Sequence, residues 1–75
     1  MEDLIKAIAL SLVDNPDEVS VTTLERNGET IIELKVSNTD MGKVIGKQGR
    51  IVKAIRVVAK AAAAKEGKNV NVEIT

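Results

Sequence analysis

Leu4, Ile5, Ile8, Leu12 and Val13 recur at spacings of three and four, with Lys6, Ser11 and Asp14 between them. That period predicts an amphipathic helix. It should end at Asn15-Pro16, because the residue before a proline is pushed out of the helical region. From there the period drops to two. Val19, Val21 and Thr23 alternate with Ser20, Thr22 and Leu24, and Ile32, Leu34 and Val36 alternate with Ile31, Glu33 and Lys35. Between these two predicted strands, Asn27-Gly28 supplies the pair of residues that tolerate positive φ in a two-residue turn, so an antiparallel hairpin is expected.

Ser37-Asn38-Thr39-Asp40 is a cluster of helix-starting residues. Thr39 or Asp40 should cap a short helix from Met41 to Ile45 by accepting an N–H bond from its first turn. Arg50 to Glu66 is alanine-rich and free of breakers, which predicts a long helix, with Gly67 at its left-handed end. Val70, Val72 and Ile74 then alternate with Asn69, Asn71 and Glu73 to give a third strand. The order is α-β-β-α-α-β, an α+β fold. Each strand has one apolar face, so a three-stranded sheet with three helices on that face is expected. The opposite face is polar apart from Leu24 and Ile31. Residues 1–75 should form one domain, since a chain of this size hides only about 60% of its unfolded surface and cannot support two cores.

Composition narrows the chemistry. The chain has no cysteine and no histidine. Disulfides and thiolate sites are therefore excluded, and the commonest zinc ligand and general base are missing. Nothing points to a metal, a cofactor or an enzyme. There is no Phe, Tyr or Trp either, which rules out binding by aromatic stacking. The first residues carry two acids and no cleavage-site pattern. No apolar run approaches the roughly 20 residues that span a bilayer. The expectation is a soluble protein of the reducing cytoplasm with no membrane partner.

Charge changes the picture more than composition does. Eleven basic and eleven acidic residues cancel. Along the chain they do not. Residues 1 to 40 hold nine acids and three bases, whereas residues 41 to 65 hold seven bases (Lys43, Lys47, Arg50, Lys53, Arg56, Lys60, Lys65) and no acid. Such segregation makes a local positive field on a neutral protein and marks a face for an anionic partner.

In the middle of that basic stretch, Gly46 and Gly49 frame Lys47 and Gln48 between the two predicted helices. Gly46 can take a left-handed conformation that closes the short helix. Bare α-carbons let a phosphodiester lie against the backbone, and the first turn of the next helix offers unpaired N–H groups. Lys47 and Arg50 add charge at the same spot. A Walker-type phosphate loop does not fit, because three residues rather than four separate Gly42 from Gly46, and Gln48 stands where a Ser or Thr should come after the lysine.

Read as VIGKQGRIVKAI, residues 44 to 55 resemble the VIGxxGxxIxxI signature of the KH domain family, with Val52 and Ile55 at its two later isoleucines. The element order resembles the type II, bacterial form of that fold, and the likeness covers essentially the whole chain. The resemblance implies a non-catalytic binder of single-stranded RNA, about four nucleotides at a time, held by the GxxG loop. It suggests an RNA chaperone or post-transcriptional regulator. Carried over, Gly46, Lys47, Gln48 and Gly49 form the clamp, with Lys43 and Arg50 on its flanks. Val44, Ile45 and Ile51 are candidates for the groove floor, Ile45 being equally readable as core. The resemblance also implies association with a second copy, as a homodimer, or with a larger KH-containing partner.

Two further surfaces of the long helix are open to either of two readings. Lys53, Arg56 and Lys60 fall at i, i+3 and i+7, one stripe that is an extended phosphate track or an ordinary solvated face. Ile51, Ile55, Val58 and Ala62 form one apolar line, and Val52, Ile55, Ala59 and Ala62 a second about 100° round the helix. One of the two lines is in excess of what the sheet needs. Val58 and Ala62 are candidates for a contact with another chain, if they are not themselves buried. A protein-interaction or dimerisation subunit with weak RNA affinity is the alternative function.

Overall fold

A computed structural model describes residues 1–75. The chain runs α1 (Glu2–Leu10), β1 (Ser20–Arg26), β2 (Glu29–Lys35), α2 (Met41–Ile45), α3 (Arg50–Lys65) and β3 (Val70–Ile74), with one-turn 3-10 segments at Pro16–Glu18 and Lys47–Gly49. This is the expected α+β order. The sheet order is β1-β2-β3. The hairpin forms as the pattern requires: Ser20 pairs with Lys35 and Arg26 with Glu29, and Asn27 and Gly28 both take positive φ, 55° and 79°. β3 adds to β2 in parallel, Thr30 opposite Val70 and Leu34 opposite Ile74. A parallel neighbour needs a long crossover, which α2 and α3 supply.

One core lies between the sheet and the helices. It is built from Ile5 and Ala9 of α1, Val19, Ile32, Leu34 and Val36 of the hairpin region, Val44 of α2, Ile55, Ala59 and Ala63 of α3, and Val70 and Val72 of β3. Alanines at the contact points let the helices sit close to the sheet, which fills the interior without aromatic rings. On the other face Ile31 is 3% exposed although no helix covers it. It sits on the central strand between Leu24 and Asn71, and its neighbours exclude water.

α1 is shorter than the periodicity suggested. It stops at Leu10, and Ser11 closes it by donating its hydroxyl to the Ile8 carbonyl at 2.6 Å. Leu12 and Val13 both donate to the Ala9 carbonyl, so their apolar side chains continue the stripe on a turn rather than on a helix. The chain leaves the helix early because Asp40 captures the next two residues. The Asp14 and Asn15 backbone N–H groups donate to its carboxylate at 3.1 and 3.0 Å, and the Asn15 side-chain amide donates at 3.1 Å. Asp40 therefore does not cap α2 with its side chain, as the sequence suggested. No side chain does. It is 1% exposed and pins the start of α2 to the α1–β1 connection.

Burial alone would raise the Asp40 pKa, but the Asp14 N–H, the Asn15 amide and N–H and the nearby Lys43 ammonium together hold it below its ordinary 3.8. A carboxyl depressed in the folded state contributes stability that is present above the unfolded value and lost as pH falls through the folded one. Chemical denaturation as a function of pH should show the native protein weakening as pH drops below about 3.8. Asp40→Asn should be less stable at neutral pH and show a flatter acid limb; equal acid limbs would remove Asp40 from this role.

Candidate nucleic-acid interface

Between α2 and α3 the backbone makes a bend that few side chains permit. Gly46 has φ 78° and ψ 171°, Gln48 has φ 58° and ψ 25°, and Gly49 has φ 73° and ψ 17°. Gly46 is thus not left-handed helical, as expected from sequence, but extended in the mirror-image region reserved to glycine. Gly49 takes the left-handed helical geometry instead. Gln48 joins it there without glycine's freedom, and nothing in its residue type announced that. The Gly49 N–H closes the bend on the Gly46 carbonyl at 3.1 Å.

Gly46 has a second reason to be bare. A β-carbon placed there would lie 2.5 Å from Ile51 Cγ1, and Ile51 packs on the core. The space above this α-carbon is filled by the protein itself, so close approach of a ligand is open at Gly49, where the nearest side-chain atom is Val52 Cγ1 at 3.9 Å. Lys47, Gln48 and Arg50 are exposed at the tip. The Arg50 guanidinium reaches the Gln48 side-chain carbonyl at 3.4 Å, and neither Lys47 nor Arg50 has an acidic partner. No side chain caps the start of α3, whose first-turn N–H groups face the bend.

The remaining sequence candidates divide among three places. Val44 is fully buried, because the apolar face of α2 packs inward. Sealed in the core, it cannot contact a ligand. Ile45 is 37% exposed beside the loop. Ile51 lies toward α1, lining an apolar groove with Ile8, Leu12, Ala54 and Val58, so it belongs to a different surface from the basic stripe. Lys43 is drawn away from the loop. Its ammonium is bound to Asp14, and that bond, opposed by partial burial and aided by the charges of Asp14 and Asp40, raises its pKa above 10.5. With both groups well exposed the pair is worth little to stability, but it partly neutralises Lys43.

α3 sorts its faces by packing. Ile55, Ala59 and Ala63 are buried in the core against the sheet, and Val52 is buried near Gly49. Val58, 39% exposed, is not core, and Ala62 is half-buried. Lys53, Arg56 and Lys60 lie on the flank toward β3. Arg56 Nε donates to the Val72 carbonyl at 3.2 Å, and Lys60 borders a shallow depression with Glu29, Ala64, Lys68, Asn69 and Val70. Sequence reasoning found this stripe but not its alignment with a strand edge, which only the crossover reveals. No group of three or more carboxylate, histidine or cysteine side chains is placed to hold a metal ion, and no helix is long and apolar enough to cross a membrane.

A family model described as KhpA/KhpB, KH domain, matches residues 2–74. The chain is 62% identical over 74 residues to the RNA-binding protein KhpA of Clostridium acetobutylicum, covering 99% of each. It is 46% identical to the protein of the same name from Aquifex aeolicus, covering 99% of this chain and 94% of that one. Among solved structures it superposes on Era of Aquifex aeolicus with a TM-score of 0.62 at 19% identity, over 97% of this chain and 28% of Era. At that identity the likeness is one of fold.

Gly46→Ala must both adopt a strained φ and displace Ile51, at a cost of about 1–3 kcal/mol for the backbone alone. Thermal unfolding should show a fall of roughly 4–8 °C per kcal/mol for a domain of this size. Gly42→Ala, inside α2 with open space at its α-carbon, should instead be neutral or stabilising by up to about 1 kcal/mol. Equal effects at the two positions would contradict the contact.

Proposed function

Because this chain belongs to the KhpA/KhpB family of KH domains, we propose that it is a non-catalytic protein that holds short single-stranded RNA segments at the Gly46–Gly49 bend, as an RNA chaperone or post-transcriptional regulator. The observation that carries this reading is the bend itself. Three residues of positive φ turn the backbone outward between two helices, with the unpaired cations Lys47 and Arg50 at its tip. A phosphate resting at Gly49 meets N–H groups, a helix N-terminus and two positive charges at once. Bulkier or acidic residues there would block or repel it.

From the bend, the nucleotides run along the basic flank of α3 above the β3 edge, past Ile45, Lys53, Arg56 and Lys60. Bases are met by aliphatic side chains and hydrogen bonds, since no aromatic ring is present. Stacking on such a ring contributes about 1–3 kcal/mol per base where it occurs, so affinity is modest and phosphate contacts dominate it. The relatives named RNA-binding proteins support RNA as the polyanion.

A second reading is favoured by the apolar groove between α1 and α3, lined by Ile8, Leu12, Ile51, Ala54 and Val58, with Val57 67% exposed beside it. We propose a second copy of the chain as its occupant, because a ridge next to a groove on the same surface can pair with itself about a twofold axis. A larger KH-containing protein using the same surface is the competing occupant.

Lys47→Asp with Gln48→Asp should abolish binding of a labelled oligoribonucleotide in fluorescence anisotropy while the circular dichroism stays native. For the wild type, log affinity should fall with log salt by about 0.7 per phosphate neutralised. Retained affinity in the folded double variant would sink the clamp. For the second reading, light scattering should give a dimer mass that Val58→Lys halves; a monomer before mutation disposes of self-association.

A further inference from the structure

The outer edge of β3 carries an arrangement that the loop does not explain. β3 ends the sheet, and successive peptide groups of a strand face opposite sides. Thr30 N–H donates to the Asn69 carbonyl at 3.1 Å, Thr75 N–H donates to Leu34 at 2.9 Å and Val36 N–H donates to Thr75 at 3.3 Å. Odd-numbered residues of β3 are therefore spent on β2, and Val70, Val72 and Ile74 turn their peptide groups to the open side. Each such residue normally offers a donor and an acceptor next to one another. At Val72 the carbonyl already accepts from Arg56 Nε at 3.2 Å, which leaves it one lone pair, beside a positive charge. The guanidinium has no carboxylate partner and no other hydrogen bond. Its terminal nitrogens keep four N–H groups, and arginine has no acceptor to offer. The centre of the edge is thus biased from an even donor–acceptor site toward one in which donors predominate.

We propose that Arg56 is a specificity-determining residue: by occupying the Val72 carbonyl it makes the middle of the β3 edge select bases with two adjacent acceptors and reject adenine. Cytosine presents O2 beside N3, and guanine presents O6 beside N7. Adenine's N1 and N7 each neighbour the N6 amino group, a donor that would face the guanidinium and compete with it for the one carbonyl there. Leaving a polar group unpaired on binding is what makes hydrogen-bond readout discriminate. This inference rests on the reading that RNA runs along the α3 flank. A purely electrostatic role for Arg56, or a role in guarding the strand edge, would weaken binding of every base alike. The ratio between bases separates these roles.

The full chain is titrated, at one salt concentration, with labelled oligocytidylate and oligoadenylate of equal length. The wild type should bind the cytidine tract about tenfold more tightly, within the range that one matched pair of hydrogen bonds discriminates. Arg56→Met should weaken both and bring the ratio close to one, because the freed Val72 carbonyl now accepts from the adenine amino group. Lys53→Met, on the same flank, should weaken both with the ratio intact. A wild type that binds adenosine tracts as well as cytidine tracts overturns the proposal, as does an Arg56→Met protein that keeps the wild-type ratio; RNA binding itself survives either result. If neither tract binds the folded wild type, the RNA reading falls and this inference with it. Should Arg56→Met not fold, the wild-type ratio decides together with the Val72 amide resonance, which must move on addition of the cytidine tract.

Discussion

The contact between the Ile51 side chain and the bare α-carbon of Gly46 ties the bend between α2 and α3 to the interior. Ile51 packs against the core, and in doing so fills the space that a β-carbon at position 46 would need. The backbone there must take a conformation that only glycine tolerates. Everything distal to it, including the left-handed Gln48 and Gly49 and the start of α3, is set by that turn. The backbone of the bend is thus held in shape by packing at its first residue.

Asp40 performs the corresponding task at the other end of α2. A five-residue helix has almost no stability of its own, and its position must be imposed from outside. The carboxylate does so by accepting from the Asp14 and Asn15 backbone and from the Asn15 side chain. Val44, on the inward face of α2, is sealed in the core. With a buried anion at one end and the Gly46–Ile51 contact at the other, α2 behaves as a rigid strut between the α1–β1 connection and the bend.

A formally neutral protein carries a basic segment because the chain order separates charges that composition averages. Eight of the acids fall on α1, the hairpin and the connection after α1, with Asp40 before α2, Glu66 after α3 and Glu73 on β3. Seven of the bases fall between residues 41 and 65, on α2, the bend and α3. One apparent member of the basic set, Lys43, is recruited to Asp14 and contributes less to the field than its position in the sequence suggests. α3 serves three neighbours at once: the sheet through Ile55, Ala59 and Ala63, the α1 side through Ile51 and Val58, and the strand edge through Arg56 and Lys60. A helix divides its circumference this way because residues three and four apart share a face.

Periodicity and turn chemistry are local, so much of what they govern is legible in the chain before it folds: the element order, the Asn27-Gly28 hairpin, the limits of α3 within a residue, its closure at Gly67 and the basic segment around a glycine pair. Which partners those elements find is not local. Asp40 binds backbone 26 and 25 residues away, Val44 is sealed while Val58 is left out, and Arg56 reaches the Val72 carbonyl. All three outcomes depend on distances between residues far apart in the chain. The parallel placement of β3 beside β2 decides most of them. It sets which edge stays open and which flank of α3 overlooks it, and no residue in the strand records that choice, because alternation along a strand fixes the buried face but not the neighbouring strand.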